Sequence, residues 1–166
     1  MGEFNFNSQI CTDKNQSERL LALGLKKETA DMVWHFTNSR SLAMQWELNP
    51  HPPVTKNNCH FNIDRLNAFG RKNSDGTLMT GEEYFNEVWG KDIPAWSLHR
   101  LIEMMPRKIE CEVENGLSID LFHTDYDGVT YYEVIGYYTD KNLYNAVISC
   151  ITDLIKEGYF NKEYLV

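Results

Sequence analysis

The most regular hydrophobic pattern in the chain runs from Ile109 to Leu121, where apolar residues alternate with polar, mostly acidic, ones. A period of two is typical of a β-strand with one buried face. Asn115-Gly116 interrupts the run and favours a tight hairpin turn. A further strand is predicted from Val129 to Tyr138. Together these segments predict a three-stranded antiparallel meander over about residues 108–138.

The two faces of the first strand differ in chemistry. Apolar residues at alternate positions form one face, which we expect the last helix of the chain to cover. The opposite face is acidic, and we expect it to lie in solvent, against basic residues of the N-terminal half, or against a partner. The candidate binding residues on this acidic face are Glu110, Glu112 and Glu114.

A helix is predicted at the C-terminus, over about residues 142–157. Its apolar residues recur every three or four positions from Leu143 to Ile155, which is the spacing of one helix face. Asn142 can cap its N-terminus, and Gly158 can end it in the left-handed conformation. Because such an apolar face needs a sheet to cover it, the predicted fold class is α+β.

The N-terminal part of the chain adds smaller helices and a hairpin. Leu42 to Leu48 alternates in the manner of a strand, and Met32 to Phe36 is its expected hairpin partner. The Pro- and Asn-rich segment 49–58 is predicted to be a surface loop inside a single domain that spans residues 1–166. Helix starts are predicted at an Asn15 cap with Glu18, at a Thr80–Glu83 capping box, and at Pro94 or Ser97.

Composition is typical of an ordered globular protein, since 42% of the 166 residues are hydrophobic. No apolar run approaches the roughly 20 residues of a membrane-spanning helix, and the start of the chain lacks the basic and apolar regions of a signal peptide. The four cysteines are widely spaced, which is typical of reduced thiols, and we expect Cys11 and Cys59 to be exposed. We therefore expect a cytoplasmic protein without membrane association.

Acidic charge is concentrated in the second half of the chain. Residues 81–166 hold 16 acidic and 7 basic residues, whereas residues 1–80 hold 8 and 9. An acidic surface repels a phosphate backbone, so direct binding to nucleic acid is not expected. A basic protein is the partner that this charge favours.

No metal or cofactor is predicted. The segment from Arg71 to Glu82 matches part of a calcium-binding loop, but an arginine stands at the first ligand position, so a hairpin turn is favoured. His51, Cys59 and His60 lack a fourth ligand for zinc. Neither of the standard glycine-rich phosphate-binding motifs occurs in the chain.

An Asp-rich stretch suggests a small-ligand site as an alternative. His123 and Asp125 lie close together in it, and an imidazole beside a carboxylate can bind a ligand or move a proton. An ordinary strand connection with Asp-Gly turn chemistry is the other interpretation. Trp96 and His99, from the helix before the meander, are the residues expected to complete such a site, which would lie in a cleft.

The chain resembles small uncharacterised proteins carried by prophages and mobile elements of anaerobic gut bacteria. The resemblance lies in QSERLLALGLKKETADM (Gln16–Met32), IPAWSLHRLIEMMP (Ile93–Pro106) and LYNAVISCITDLIKEGYFNKEY (Leu143–Tyr164), and the segment Phe36–Gly90 departs from it. That group has no assigned activity, so the resemblance implies no catalytic residue. It implies a cytoplasmic bacterial setting and an accessory role.

Two functions remain open at the level of sequence. The favoured one is a non-enzymatic protein-interaction module whose acidic half faces a basic host or phage protein. The alternative is a small-ligand-binding protein or an enzyme with a site near His123 and Asp125. Oligomeric state is not predicted by any feature of the sequence.

Overall fold

The structure is a computed structural model that describes residues 9–37, 46–59, 63, 70–106, 108–109, 119–120, 123–125, 128–130, 138, 140 and 142–166. The helices are α1 Lys14–Ala22, α2 Gly81–Trp89, α3 Leu98–Met104 and α4 Leu143–Lys156, and short 3-10 turns lie at Lys27–Thr29 and Lys162–Tyr164. The strands are β1 Met32–Phe36, β2 Trp46–Asn49, β3 Ile93–Ala95, β4 Lys108–Ile109, β5 Ile119–Asp120, β6 His123–Asp125 and β7 Gly128–Thr130. Helices and antiparallel strands confirm the predicted α+β class.

A three-stranded antiparallel sheet with the order β2-β1-β3 is built from the N-terminal hairpin and a short later strand. The predicted hairpin partner Met32–Phe36 is confirmed as β1, with Phe36 opposite Trp46. The third strand, β3, pairs Pro94 with Val33. A proline cannot donate to a strand ladder, so it is compatible with an edge strand such as β3.

The segment of the predicted meander contributes two antiparallel pairs, β4 with β5 and β6 with β7. Ile109 lies opposite Ile119 in the first pair. A two-residue turn at Asn115-Gly116 followed by a regular ladder would instead place Ile109 opposite Phe122. The rest of the meander, including this turn, lies outside the described residues.

The main core forms around α4, whose residues Val147, Ile151 and Leu154 are completely buried. Asn142 caps this helix, and Gly158 takes a positive φ of 77° just after it, as predicted. The helix contacts α1, α3 and β7. Full burial of each such aliphatic side chain stabilises the fold by roughly 1.5–3 kcal/mol. The C-terminal helix is therefore the element around which the others pack.

The N-terminal cap of α1 is Asp13 and not Asn15, so that prediction was wrong. The Asp13 carboxylate accepts a hydrogen bond from the backbone amide of Gln16 at 2.8 Å, and the Gln16 side chain accepts one from the Asp13 amide at 3.0 Å. Gln16 also donates to the Asn145 side chain on α4 at 2.8 Å. This contact between helices fixes Gln16 in the first turn of α1 and explains why the helix begins two residues earlier than predicted.

The other helix starts agree with local sequence signals. Thr80 and Glu83 form the predicted capping box of α2. Ser97 caps α3, and Pro94, the alternative, lies in β3. Of the segment 49–58 predicted to be a surface loop, Asn49 ends β2, residues 50–58 contain neither helix nor strand, and Pro53 and Thr55 are buried. Among the described residues, no helix has the length and apolar character that crossing a membrane requires.

Candidate functional site

A pocket of about 400 Å³ opens between the first 3-10 turn and α3, and we call it the α3 pocket. The residues that matter for its chemistry are Glu28, Asp31, Pro52, His99, Arg100 and Glu103. They come from three distant parts of the chain: the turn leading into β1, the Pro-rich loop, and the first turns of α3. The pocket is thus a product of the fold and not of one local motif.

Arg100 is the basic residue in the wall of the α3 pocket, and its guanidinium is held on three sides. Its Nε donates to the carbonyl oxygen of Thr29 at 2.8 Å, and a terminal nitrogen donates to a Glu103 carboxylate oxygen at 2.7 Å. The guanidinium carbon lies 5.8 Å from the centre of the Tyr164 ring. These contacts fix Arg100 as a wall of the pocket.

The acidic residues of the α3 pocket differ in their hydrogen-bond partners. Both oxygens of Asp31 accept hydrogen bonds from Ser97, one from its backbone amide at 2.8 Å and one from its hydroxyl at 2.5 Å. Asp31 therefore fastens the start of β1 to the cap of α3. Glu28 is exposed and, within the described part of the chain, makes no hydrogen bond or ion pair. Because Glu103 is paired with Arg100, Glu28 is the carboxylate that adds unpaired negative charge to the pocket.

A second polar group forms a row across one face of the sheet, and we call it the sheet row: Glu47, His35 and Asp92. Glu47 on β2 lies opposite His35 on β1. Asp92 directly precedes β3, and its carboxylate lies 2.8 Å from Nδ1 of His35. The Asp92 side chain is 6% exposed and that of His35 is 22% exposed. An imidazole that reaches the surface is thus backed by a buried carboxylate.

Burial raises the pKa of Asp92, while hydrogen bonds from the Phe36 amide and from His35 act in the opposite direction. The same Asp92 oxygen accepts the Phe36 backbone amide at 3.2 Å. A carboxylate that faces Nδ1 selects the imidazole tautomer with the proton on Nδ1, which leaves the lone pair on Nε2. Within the described residues no hydrogen bond engages Nε2 of His35.

A third polar group is enclosed in the core around Trp96. The Trp96 amide donates to the Thr12 hydroxyl at 3.0 Å, and the Trp96 indole donates to the Thr29 hydroxyl at 3.0 Å. The Thr12 and Ser17 hydroxyls are 2.8 Å apart. All four residues are buried, and their polar atoms bond to one another, so this buried network is structural.

Trp96 and His99 were predicted to serve the same site, but the structure places them in different environments. Trp96 has 0% exposure and belongs to the main core. His99 is exposed and lines the α3 pocket. They lie three residues apart in sequence, so one turn of chain separates a core residue from a pocket residue. Only His99 is accessible to a ligand.

The remaining predicted site residues lie where no side-chain contact is described. His123 and Asp125 are both in β6, where His123 pairs with Thr130 and Asp125 with Gly128. A role for them stays a prediction. Glu110, Glu112 and Glu114 lie outside the described residues, so the exposure of the acidic strand face also stays a prediction.

Sequence reasoning missed His35 and Asp92. They are 57 positions apart, and neither lies in a motif. Their contact follows from the pairing of β1 with β3, which places Trp34 opposite Ile93 and hence the next pair, His35 and Asp92, side by side. No signal short of predicting this pairing would have found them.

Metal and thiol chemistry have no clear support in the described residues. No group of three or more His, Cys, Asp or Glu side chains there is placed to hold a metal ion. The Asp75 carboxylate accepts hydrogen bonds from the Thr77 amide and hydroxyl at 2.9 and 2.6 Å, as in an ordinary turn. Cys11, which we expected to be exposed, is buried, and burial raises the pKa of its thiol to about 11.

Comparisons of the chain with protein-family models, with curated proteins and with solved structures found no match. Function is therefore inferred from the chain's own residues.

Proposed function

We propose that this protein is a non-enzymatic interaction module and that a basic partner docks at the α3 pocket. The observation that carries this proposal is a concave site of about 400 Å³ lined by Glu28 and by the ion pair of Arg100 with Glu103. Its described lining cation, Arg100, is already held by the Thr29 carbonyl and by Glu103. A positive group from outside would therefore meet the exposed carboxylate of Glu28.

The α3 pocket has room for a long basic side chain as the docking group. Volumes of roughly 300–1,000 Å³ are usual for sites that enclose small molecules, and a lysine or arginine side chain is smaller than these. Pro52 supplies exposed apolar surface along which its methylene groups can lie. The carboxylate of Glu28 is then available to the charged end.

Charge outside the pocket supports the same kind of partner. The second half of the chain has an excess of acidic residues, 16 against 7 basic ones. Such a field attracts a basic protein and speeds encounter at low salt. The setting we propose, a bacterial phage or mobile element and its host cytoplasm, rests on the resemblance of the three sequence segments alone.

The direct test is an NMR titration of the ¹⁵N-labelled protein with N-acetyl-lysine methylamide and N-acetyl-arginine methylamide. We expect chemical-shift changes at the amides of Ala30, His99 and Arg100, and weaker binding at 0.5 M salt because ions screen the contact. N-acetyl-glutamate methylamide is the matched probe of opposite charge, and it should produce no shifts at these amides.

Two charge reversals distinguish binding at the α3 pocket from a general attraction to the acidic protein. Glu28→Lys should abolish the shifts, whereas Glu87→Lys on α2, which changes net charge equally and lies outside the pocket lining, should preserve them. If neither cationic probe shifts the pocket amides, or if both reversals weaken binding equally, docking at the α3 pocket is wrong.

A further inference from the structure

His99 gives the α3 pocket a side chain of the type that changes its charge near neutral pH. It is exposed on the first turn of α3 and lines the pocket together with Glu28. Within the described residues no hydrogen bond or ion pair engages its imidazole. Solvent therefore reaches the ring, and a proton can bind to it without breaking a described contact of the fold.

The other charged groups of the α3 pocket come from each element around it. Glu28 belongs to the first 3-10 turn, Asp31 precedes β1, and Arg100 and Glu103 lie on α3. The described lining thus has three carboxylates and one guanidinium, so its formal charge is negative while the imidazole is neutral. A proton on His99 adds a positive charge to this lining and cancels part of its attraction for a cation.

Histidine is the residue type in this lining whose charge changes between about pH 5.5 and 7.5. Ordinary Asp and Glu side chains titrate near pH 4, and arginine keeps its charge throughout. Ordinary histidines titrate near pH 6.5, within the range. An arginine probe stays cationic over the same range, so a change in its binding reports a change in the protein.

His51 is the other histidine near the α3 pocket, and it is placed differently. Its Nδ1 lies 2.9 Å from the carbonyl oxygen of Pro52, which lines the pocket. His51 itself is not among the described lining residues, and its charge acts on Asp92 of the sheet row. It is therefore a matched control, a histidine beside the pocket but outside it.

We propose that His99 makes docking at the α3 pocket depend on pH: a basic partner binds while the imidazole is neutral and is repelled by the imidazolium. This inference rests on the proposed function, and it adds the regulation of the same site. The imidazolium also attracts the Glu103 carboxylate, which lies four residues further along the same face of α3. Docking is therefore weaker at acidic than at neutral pH.

The test repeats the NMR titration of the ¹⁵N-labelled protein with N-acetyl-arginine methylamide at about pH 5.5 and about pH 7.5, on either side of an ordinary histidine titration. Two like charges a few ångströms apart in water change an equilibrium constant by up to about fivefold. We therefore expect a dissociation constant about two- to fivefold higher at the lower pH. His99→Gln should bind equally well at both pH values, whereas His51→Gln should keep the pH dependence of wild type.

A second readout needs no variant. Coupling between two binding events is reciprocal, so a cation that prefers neutral His99 also makes His99 harder to protonate. The ring signals of His99 should therefore titrate at a lower pH in excess probe than in its absence, and those of His51 should not change. A histidine with only a structural role would show no such coupling.

The outcomes separate this inference from the proposed function. Absence of probe binding at both pH values contradicts both. Binding of equal strength at both pH values leaves the proposed function in place and overturns the role of His99. That role is also overturned if His99→Gln, shown to be folded by circular dichroism, keeps the pH dependence, or if His51→Gln loses it.

Discussion

The buried network around Trp96 and the sheet row around His35 both join the same sheet to its surroundings, yet one is closed and the other is open. Every polar side chain of the network bonds to another group inside the protein, as the Trp96 indole does to Thr29. In the sheet row, Asp92 holds one nitrogen of His35, and within the described residues the other nitrogen makes no hydrogen bond. Closed polar groups specify a fold, whereas an open one keeps an atom available for chemistry.

The largest expected effect comes from removing the centre of the closed network. Trp96→Ala should lower the free energy of unfolding by about 3–5 kcal/mol, because it deletes a fully buried aromatic ring and leaves a cavity. His99→Ala, three residues later and exposed, should change it by less than about 0.5 kcal/mol. Chemical denaturation of both variants measures the difference, and equal costs would contradict the assignment of Trp96 to the core.

A smaller change breaks one bond of the network and keeps its shape. Thr12→Val should cost about 1–3 kcal/mol, because the buried Trp96 amide and the Ser17 hydroxyl lose their partner. Thr12→Ser keeps the hydroxyl and should cost less. Urea unfolding measures the free energy of unfolding of the two variants. A Val variant as stable as the Ser variant would show that the hydrogen bonds of Thr12 contribute no stability.

Local signals in the sequence predicted the parts of the fold that are set locally. The cap at Asn142, the capping box of Thr80 and Glu83, and the positive φ of Gly158 all depend on residues within a turn of one another. β3 was not predicted, because it has three residues, which include Pro94 and are too few to show the alternation of apolar and polar residues that marks a strand. Its place is decided by pairing with β1, some 60 positions earlier.

The candidate sites depended even more on distant contacts. His99 was predicted and lines the α3 pocket, but Glu28 and Arg100 were not singled out, because the hydrogen bond from Arg100 to the Thr29 carbonyl spans 71 positions. The prediction that Asn15 caps α1 was wrong for a related reason, since Gln16 is held by Asn145 on α4. A short sequence window contains neither contact.

Asp13, which is next to Thr12 of the closed network, allows a test of the wrong prediction that Asn15 caps α1. Asp13→Ala should cost about 1 kcal/mol, the usual cost of losing a helix N-cap, because the Gln16 amide loses its acceptor. Asn15→Ala should stay within about 0.5 kcal/mol, since Asn15 is exposed and lies inside the helix. Thermal unfolding compares them, and a greater loss in Asn15→Ala would restore the cap first predicted.

The smallest expected effect is a pH dependence that separates the open pair from an exposed turn. Burial raises the pKa of Asp92 above its ordinary value near 3.8, so the folded state binds this proton more tightly than the unfolded state. Its contribution to stability is therefore fully present below pH 3.8 and is lost as pH rises through the raised pKa. The Thr77 hydroxyl and amide lower the pKa of Asp75, whose contribution has the opposite sign.

The test measures the free energy of unfolding of wild type, Asp92→Asn and Asp75→Asn between about pH 2.5 and 5.5. This range gives the sign of the pH dependence that each carboxylate contributes, because ordinary histidines titrate only above it, near 6.5. The stability of wild type minus that of Asp92→Asn should fall as pH rises, and the same difference for Asp75→Asn should grow. Equal slopes would mean that hydrogen bonds lower the pKa of Asp92 as those from Thr77 lower the pKa of Asp75. The bonds from the Phe36 amide and from His35 would then outweigh the effect of burial at Asp92.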